Sequence, residues 1–471
     1  MQKILDAIFN FFKTANAYLS DYVLVVLLLF VGILFTIKTR FVQVRCLKEG
    51  FITLFSKSKN KDKKKVSTFQ AFTTAVASQV GTGNIVGVSG AILLGGPGAI
   101  FWMWIIAFFG MATAYSEAVL AQKTRITTKD GGFKGGPVYY IRVAFNGRFG
   151  KFLSAFFSIA CIIAIGFIGS MVQSNSIGES VSNATGIPPY VVGIVIVIFL
   201  LLILIGGVKR IASVTEKLVP IMAIFYIVGA IVLLAINITK VPEAFYLIFK
   251  YAFVPQSIIG GGFGYALKVA LSQGAKRGLF SNEAGMGTTP HAHALANAQS
   301  PHKQGTVAIV SVFLDTFVVL SLSALVIVSS LYTKGGALSE GAMIDGITNT
   351  SLMSYAISNV FGSGITANTL SAYFIAICLT FFAFSTIIGW NLFGRINIEY
   401  LFGKKAIIVY VLVSISFIFL GSFLKSDIVW ELTDFFNYIM VIPNVLALFK
   451  LKNVVLEELK ANGPKNKKLY A

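Results

Sequence analysis

Ser78-Gln79-Val80-Gly81-Thr82-Gly83-Asn84 sits in the middle of an apolar run, residues 69–94, that carries no charged side chain. The run has the length of one transmembrane helix. Its centre is nonetheless polar and glycine-rich, and each glycine inside a helix costs about 1 kcal/mol relative to alanine. Backbone groups freed by such a break are costly in lipid unless protein or a polar ligand satisfies them. The break therefore points to a binding site near the midplane of a membrane transporter.

The whole chain fits a membrane setting. Its 471 residues are 56% hydrophobic and 12% charged, and a soluble protein would carry roughly twice that charged share. The formal net charge is +20, which in a soluble protein would suggest nucleic acid. Here the basic residues gather in particular loops, so the charge speaks of membrane orientation and no nucleic-acid partner is expected. The N-terminus shows no signal peptide with a cleavage site. Cys46, Cys161 and Cys378 are scattered and have no metal or redox spacing.

Eleven apolar spans are expected, at about 20–38, 67–94, 98–123, 152–178, 189–206, 217–238, 265–298, 304–331, 368–394, 404–423 and 428–449. The stretch 1–19 is amphipathic and expected at the membrane surface. Lysine and arginine crowd the loops 38–66 and 123–151, the positions Lys209, Arg210, Lys217, Arg395, Lys404 and Lys405, and the tail after Lys450. With eleven alternating spans all of these share one side. The positive-inside rule makes that side cytoplasmic, with the N-terminus outside and the C-terminus inside. A cell (plasma or inner) membrane is the expected location.

A second interruption, Ser281-Asn282-Glu283-Ala284-Gly285-Met286-Gly287, breaks the span 265–298. The two broken spans each open a set of five, and they enter from opposite sides. That is the mark of an inverted-repeat transporter with discontinuous helices. Residues 1–66 then hold an extra N-terminal helix and a basic cytoplasmic loop, and 67–238 the first repeat. Residues 239–264 form an extracellular connection, 265–449 the second repeat, and 450–471 a basic cytoplasmic tail. The fold class is all-α and polytopic, a 5+5 inverted repeat plus one N-terminal helix.

Freed N–H groups at a break suit a carboxylate, and freed C=O groups suit an ammonium or a hard cation. One broken helix can hold both ends of a zwitterionic amino acid. Ser78, Gln79, Gly81, Thr82, Gly83 and Asn84 are the first candidates for substrate contact, with Ser281, Asn282 and Gly285 at the second break. The alternative for the glycines is a helix-packing face, since Gly83-x-x-x-Gly87 fits the small-xxx-small pattern. Gln173 can reach the substrate from the span 152–178, and Trp390 with Ile387 can close the cavity. Glu283 and Asp315 are acidic residues inside spans, where charge is expensive and usually functional.

Ser78 to Ile85, Gly95-Gly96-Pro97-Gly98-Ala99, Arg277 to Gly285 and Gly389-Trp390 together resemble the alanine or glycine:cation symporter family, which has a leucine-transporter type fold. The resemblance covers roughly residues 20–450. It implies sodium-coupled, sometimes proton-coupled, uptake of alanine or glycine by alternating access, with sodium co-transported and no organic cofactor. It implies one sodium position made by the carbonyls of Ala77 and Val80 and the hydroxyls of Ser385 and Thr386. Oxygen ligands suit a hard cation, although hydroxyls in spans also bond back to the preceding turn. A second cation position would use Asn84 with Glu283 or Asp315. Asp315 as a proton carrier is the alternative, a proton-coupled permease of the same architecture.

Arg277 lies just outside the second break, and Glu431 and Asp434 head the last span. They are candidates for an outer gate, or for a surface ion pair with no gating role. His291 and His293 are two apart on a helix and face different ways. No thiolate or carboxylate cluster is expected to join them or His302, so sodium is the only metal anticipated. There is no Walker sequence and no nucleophile–base set, which argues against an ATP-driven pump or an enzyme. Breaks without a symmetry axis fit an ion channel poorly.

Overall fold

The computed structural model describes residues 2–56, 65–128, 131–254, 263–339, 346–424 and 427–464. Parts of the basic loop 38–66, of the connection 239–264 and of the tail 450–471 lie outside the described residues. Almost everything described is helical, and the one sheet among these residues is a hairpin pairing Ile126–Thr127 with Phe133–Lys134. Among the described residues, seven helices are long and apolar enough to cross a membrane, or eight when the bent pair Thr68–Gln79 and Thr82–Gly95 counts as one span. The expected spans 189–206 and 404–423 fall on the shorter apolar helices Pro189–Leu204 and Ala406–Gly421. The span 265–298 falls on Phe263–Asn282 followed by Pro290–Leu295. Apolar side chains such as Phe199, Ile224 and Val409 point outward, while the buried set includes many polar residues. That inside-out distribution is what a lipid solvent selects.

The amphipathic N-terminus continues the first span rather than standing apart from it. Helix Gln2–Tyr18 runs through the wide turn Leu19–Leu24 into Val25–Lys38. It packs on the last span, with the rings of Phe12 and Phe435 5.0 Å apart.

The first broken helix starts cleanly. Ser67 Oγ accepts from Gln70 N and Gln70 Oε1 accepts from Ser67 N, each at 3.0 Å, a reciprocal capping box. The helix stops at Gln79, Gly81 is extended, Thr82–Asn84 makes one tight turn, and the helix resumes at Val86 with a bend of 56°. The second break turns through Glu283, Gly285 and Gly287, all at positive φ. Glycine takes that conformation freely, whereas for glutamate it costs about 1–2 kcal/mol. Pro290 then opens the continuing helix, the position where its missing N–H does no harm.

The long helix Ile365–Phe402 lies against the first break. A Cβ on Gly389 would come within 3.1 Å of the Ser78 backbone, so glycine there sets the close approach. Two other spans carry wide π turns, Ile162–Gly169 and Phe313–Leu320, and Asp315 sits in the second. A π turn frees carbonyls, and here side chains take them. Asn84 Nδ2 donates to the Asp315 carbonyl at 3.2 Å and Ser321 Oγ to that of Thr316 at 2.9 Å.

On the basic side, the final helix Lys452–Asn462 is fastened by Glu458. Its carboxylate is 2.7 Å from Lys123 Nζ and accepts from His302 N at 3.2 Å.

Candidate functional site

The break itself frees the atoms of interest. Gly81 N turns to Asn84 Oδ1 at 3.1 Å instead of continuing the helix ladder to Ala77. Thr386 Oγ1 lies 2.9 Å from the Ala77 carbonyl, 3.4 Å from the Val80 carbonyl and 3.0 Å from the Phe382 carbonyl. A hydroxyl has one proton and two lone pairs, so this oxygen can be shared with a cation beside those carbonyls. Ser385 is less committed to the group. Its Oγ bonds back to Phe382 O at 2.8 Å and is 3.5 Å from Ala77 O.

Gln173 reaches the break, with Oε1 accepting from Thr82 N at 3.2 Å. Gln79 ties the two broken helices together, its Nε2 donating to the Asn282 carbonyl at 2.7 Å. These bonds fix both amide orientations. They leave Gln173 Nε2, a donor, and Gln79 Oε1, an acceptor, buried with no protein partner, along with Thr82 Oγ1. Gly81 has room for nothing more: an added Cβ would stand 2.4 Å from Thr386 Oγ1 and 3.3 Å from Gln173 Oε1. Gly83 is similarly tight against Ser281 Cα at 3.1 Å. Gly81→Ala is expected to cut transport tenfold to a hundredfold, the scale of about 1–3 kcal/mol of overpacking. Uptake at saturating substrate, with the protein still monodisperse, checks it.

The two acidic candidates separate. Asp315 joins Asn84 and Ser281: its Oδ1 accepts from Asn84 Nδ2 at 2.8 Å, and its Oδ2 from Ser281 Oγ at 2.8 Å and Thr316 Oγ1 at 2.9 Å. Glu283 does not meet Asn84. It accepts from Ser78 Oγ at 3.1 Å, from Thr288 Oγ1 and from Trp390 Nε1, the last two at 2.5 Å. Those three bonds offset the strain of its positive φ. Trp390 is thereby anchored and also packs edge-on to Phe280 at 5.9 Å. Ile387 is buried next to Thr386.

Gly285 is drawn away from the first break, to a third buried carboxylate that the sequence reading passed over. Its N–H donates to Glu117 at 3.2 Å, and Asn444 Nδ2 reaches both Glu117 at 2.6 Å and the Gly285 carbonyl at 2.9 Å. An acidic residue at position 117, inside the apolar run 98–123, was the signal that could have revealed it. None of Glu117, Glu283 and Asp315 has a lysine or arginine within ion-pair distance among the described residues.

Of the gate candidates, Arg277 faces Asp434, with Nη1 3.9 Å from Oδ2, and lies over the Trp430 ring at 5.1 Å. Glu431 is engaged elsewhere, accepting from Asn16 Nδ2 at 2.6 Å. The expectation of no thiolate or carboxylate beside the histidines fails at His302. Cys46, Glu49 and His302 offer atoms within 4.8 Å of one another, because the short helix Leu47–Phe55 after the first span folds back on the start of Pro301–Val312. Lys303 Nζ already sits 2.7 Å from Glu49 there. His291 and His293 point apart, to Asn397 and to Gln304.

Residues 5–469 match the model of the sodium:alanine symporter family. The chain is 39% identical to the sodium/alanine symporter AgcS of Methanococcus maripaludis, over 95% of this chain and 96% of that one. It is 40% identical to the putative sodium/proton-dependent alanine carrier protein YrbD of Bacillus subtilis, covering 96% and 92%. With the probable sodium/glutamine symporter GlnT of the same organism it shares 38%, covering 98% and 91%. Among solved structures, MhsT in complex with L-phenylalanine superposes with a TM-score of 0.56 at 15% identity, over 85% of this chain and 99% of that one. A manganese transporter of Eremococcus coleocola gives 0.54 at 14% identity, over 87% and 83%. At such identities these two speak for the fold, which is of the leucine-transporter type.

Proposed function

Because the chain belongs to the sodium:alanine symporter family, we propose that it couples inward sodium flow to uptake of alanine or glycine by alternating access. It is a multi-pass membrane transporter and not an enzyme. The observation that carries the amino-acid reading is the trio of buried, unpartnered polar atoms at the first break, Gln79 Oε1, Thr82 Oγ1 and Gln173 Nε2. A buried polar atom left unpaired costs roughly 1–3 kcal/mol, so the three are better explained by a ligand with both donors and acceptors. The amide donor of Gln173 suits a carboxylate, and the amide acceptor of Gln79 suits an ammonium.

Sodium coupling is supported by the oxygen-only convergence of Ala77 O, Val80 O and Thr386 Oγ1. Proton coupling is the second reading, favoured by Asp315, a buried carboxylate with only neutral donors around it. The basic loops support a cytoplasmic C-terminus in the cell membrane. Uptake of labelled L-alanine into proteoliposomes, driven by a sodium or a proton gradient at matched potential, tests the proposal. Sodium-driven accumulation supports it. Proton-driven accumulation moves coupling to Asp315, and transport of glutamine but not alanine or glycine rejects the substrate.

The outer-gate reading of Arg277 and Asp434 carries its own expectation. Each single charge reversal should lower uptake about tenfold or more, as an uncompensated partly buried charge does. The double swap Arg277→Asp with Asp434→Arg should recover most of it, and a double variant as poor as the singles would remove the gate.

A further inference from the structure

Cys46 stands between two short helices on the basic side, Val42–Arg45 and Leu47–Phe55. Its backbone belongs to both, with Cys46 N donating to Val42 O and Gly50 N donating to Cys46 O, each at 2.9 Å. Glu49 follows three positions later, a spacing that puts the two side chains on one face of the turn. Across from them, Pro301–Val312 presents His302 in its first turn. The two helices meet almost backbone to backbone, since a Cβ on Gly50 would collide with the Thr306 carbonyl. A thiol, a carboxylate and an imidazole are thereby brought within 4.8 Å of one another. Cys46 and His302 are fully buried, while the side chains of Glu49 and Lys303 are 21% and 33% exposed, so the cluster has one open edge.

We propose that Cys46 Sγ, a Glu49 carboxylate oxygen and His302 Nε2 bind a zinc ion, with water in the fourth position at the open edge. Sulfur, nitrogen and oxygen donors together suit zinc, and three protein ligands with one open position are a recurring zinc arrangement. Hard cations such as sodium prefer oxygen ligands, so the chemistry here differs from that at the first break. The imidazole is already oriented. His302 Nδ1 lies 2.8 Å from the Tyr115 hydroxyl, and Nε2 points to Glu49 Oε1 at 3.2 Å. A metal on Nε2 puts the remaining ring proton on Nδ1, from which the Tyr115 oxygen can accept a hydrogen bond. Zinc–ligand bonds of about 2.0–2.3 Å place tetrahedral donors roughly 3–4 Å apart, so side-chain shifts of about 1 Å close the set. On binding, the Cys46 thiol gives its proton to solvent. The Lys303 ammonium, 2.7 Å from Glu49, swings outward. Glu458 holds the His302 backbone at 3.2 Å, so the ion would join the loop helix, the span start and the final helix into one unit.

Titration of the purified full chain with zinc, and with cobalt as its coloured substitute, tests this. Cobalt should give the thiolate-to-metal absorption band that a sulfur ligand produces. Zinc should raise the unfolding temperature, as a ligand of the folded state does. Cys46→Ser should remove the band, and both it and His302→Gln should weaken zinc binding more than about a hundredfold, beyond what outer-shell partners carry. Tyr115→Phe should weaken it about tenfold and keep the band, as the loss of an orienting partner does. Glu49→Gln, at a partly exposed position, should weaken zinc binding and leave the fold intact, which unaltered gel filtration verifies. Lys303→Gln removes the competing ammonium and should tighten binding about threefold, the scale of a partly exposed ion pair. Cys378→Ala, at a buried cysteine elsewhere, should change neither readout. Absence of the band in the parent, or its survival in Cys46→Ser, would overturn the proposal. Zinc binding unchanged by Glu49→Gln, or weakened by Lys303→Gln, would overturn it as well.

Discussion

Replacing Thr386 by alanine should abolish sodium-driven accumulation of alanine at ordinary sodium concentrations. Thr386 Oγ1 is the side-chain oxygen that meets both carbonyls released by the first break, 2.9 Å from Ala77 O and 3.4 Å from Val80 O. Alanine removes it and leaves those buried carbonyls with one fewer partner. Interactions with a charged group are worth about 1.5–3 kcal/mol each, so the sodium concentration for half-maximal uptake should rise about 10- to 100-fold. Thr386→Ser keeps the oxygen and should stay within about threefold of the parent. Ser385→Ala should do much less, because that hydroxyl mainly bonds back to Phe382. Uptake measured against external sodium decides the matter. Wild-type sodium dependence in Thr386→Ala would rule out this cation position.

Asp315→Asn should be as damaging, for a different reason. The carboxylate accepts from Asn84, Ser281 and Thr316 at once. An amide of the same shape has one accepting oxygen, and it turns two hydrogens toward groups that are themselves donors. It also deletes a charge from a place where the other buried acids have no basic partner. Hydrogen bonds to a charged group are worth about 1.5–3 kcal/mol each, so losing two of them is enough to reduce uphill uptake more than a hundredfold. Counterflow separates the two roles. If Asp315 carries a proton, the variant should still exchange alanine for alanine with no gradient. If it supports a sodium ion, exchange should fail as well, and added sodium should partly recover it.

The break at Gly81 to Asn84 was legible because polar residues and glycines interrupt an otherwise apolar run, and lipid leaves few explanations for that. The second break was readable by the same rule. What sequence could not carry was which remote atoms meet. Gln79 and the Asn282 carbonyl are 203 positions apart and joined at 2.7 Å. Nothing local says that Glu283 turns to Ser78 and Trp390 while Asp315 takes Asn84. Glu117 was readable in principle and was passed over, since a single carboxylate in a long apolar run draws less notice than a glycine cluster. The contact of Cys46 and Glu49 with His302 depends on how a short amphipathic helix folds back, and no spacing records that. The wide turn carrying Asp315 was equally hidden, because its sequence is as regular as that of any apolar helix.

The Glu458 clasp bears on how the protein is made. Its carboxylate closes on Lys123 and on the backbone of His302, residues that leave the ribosome long before it does. Membrane helices inserted during synthesis therefore lack this fastener until residue 458 has been made. Glu458 acts as a late check on assembly: chains released before residue 458 would keep both broken helices and yet leave this face unclasped.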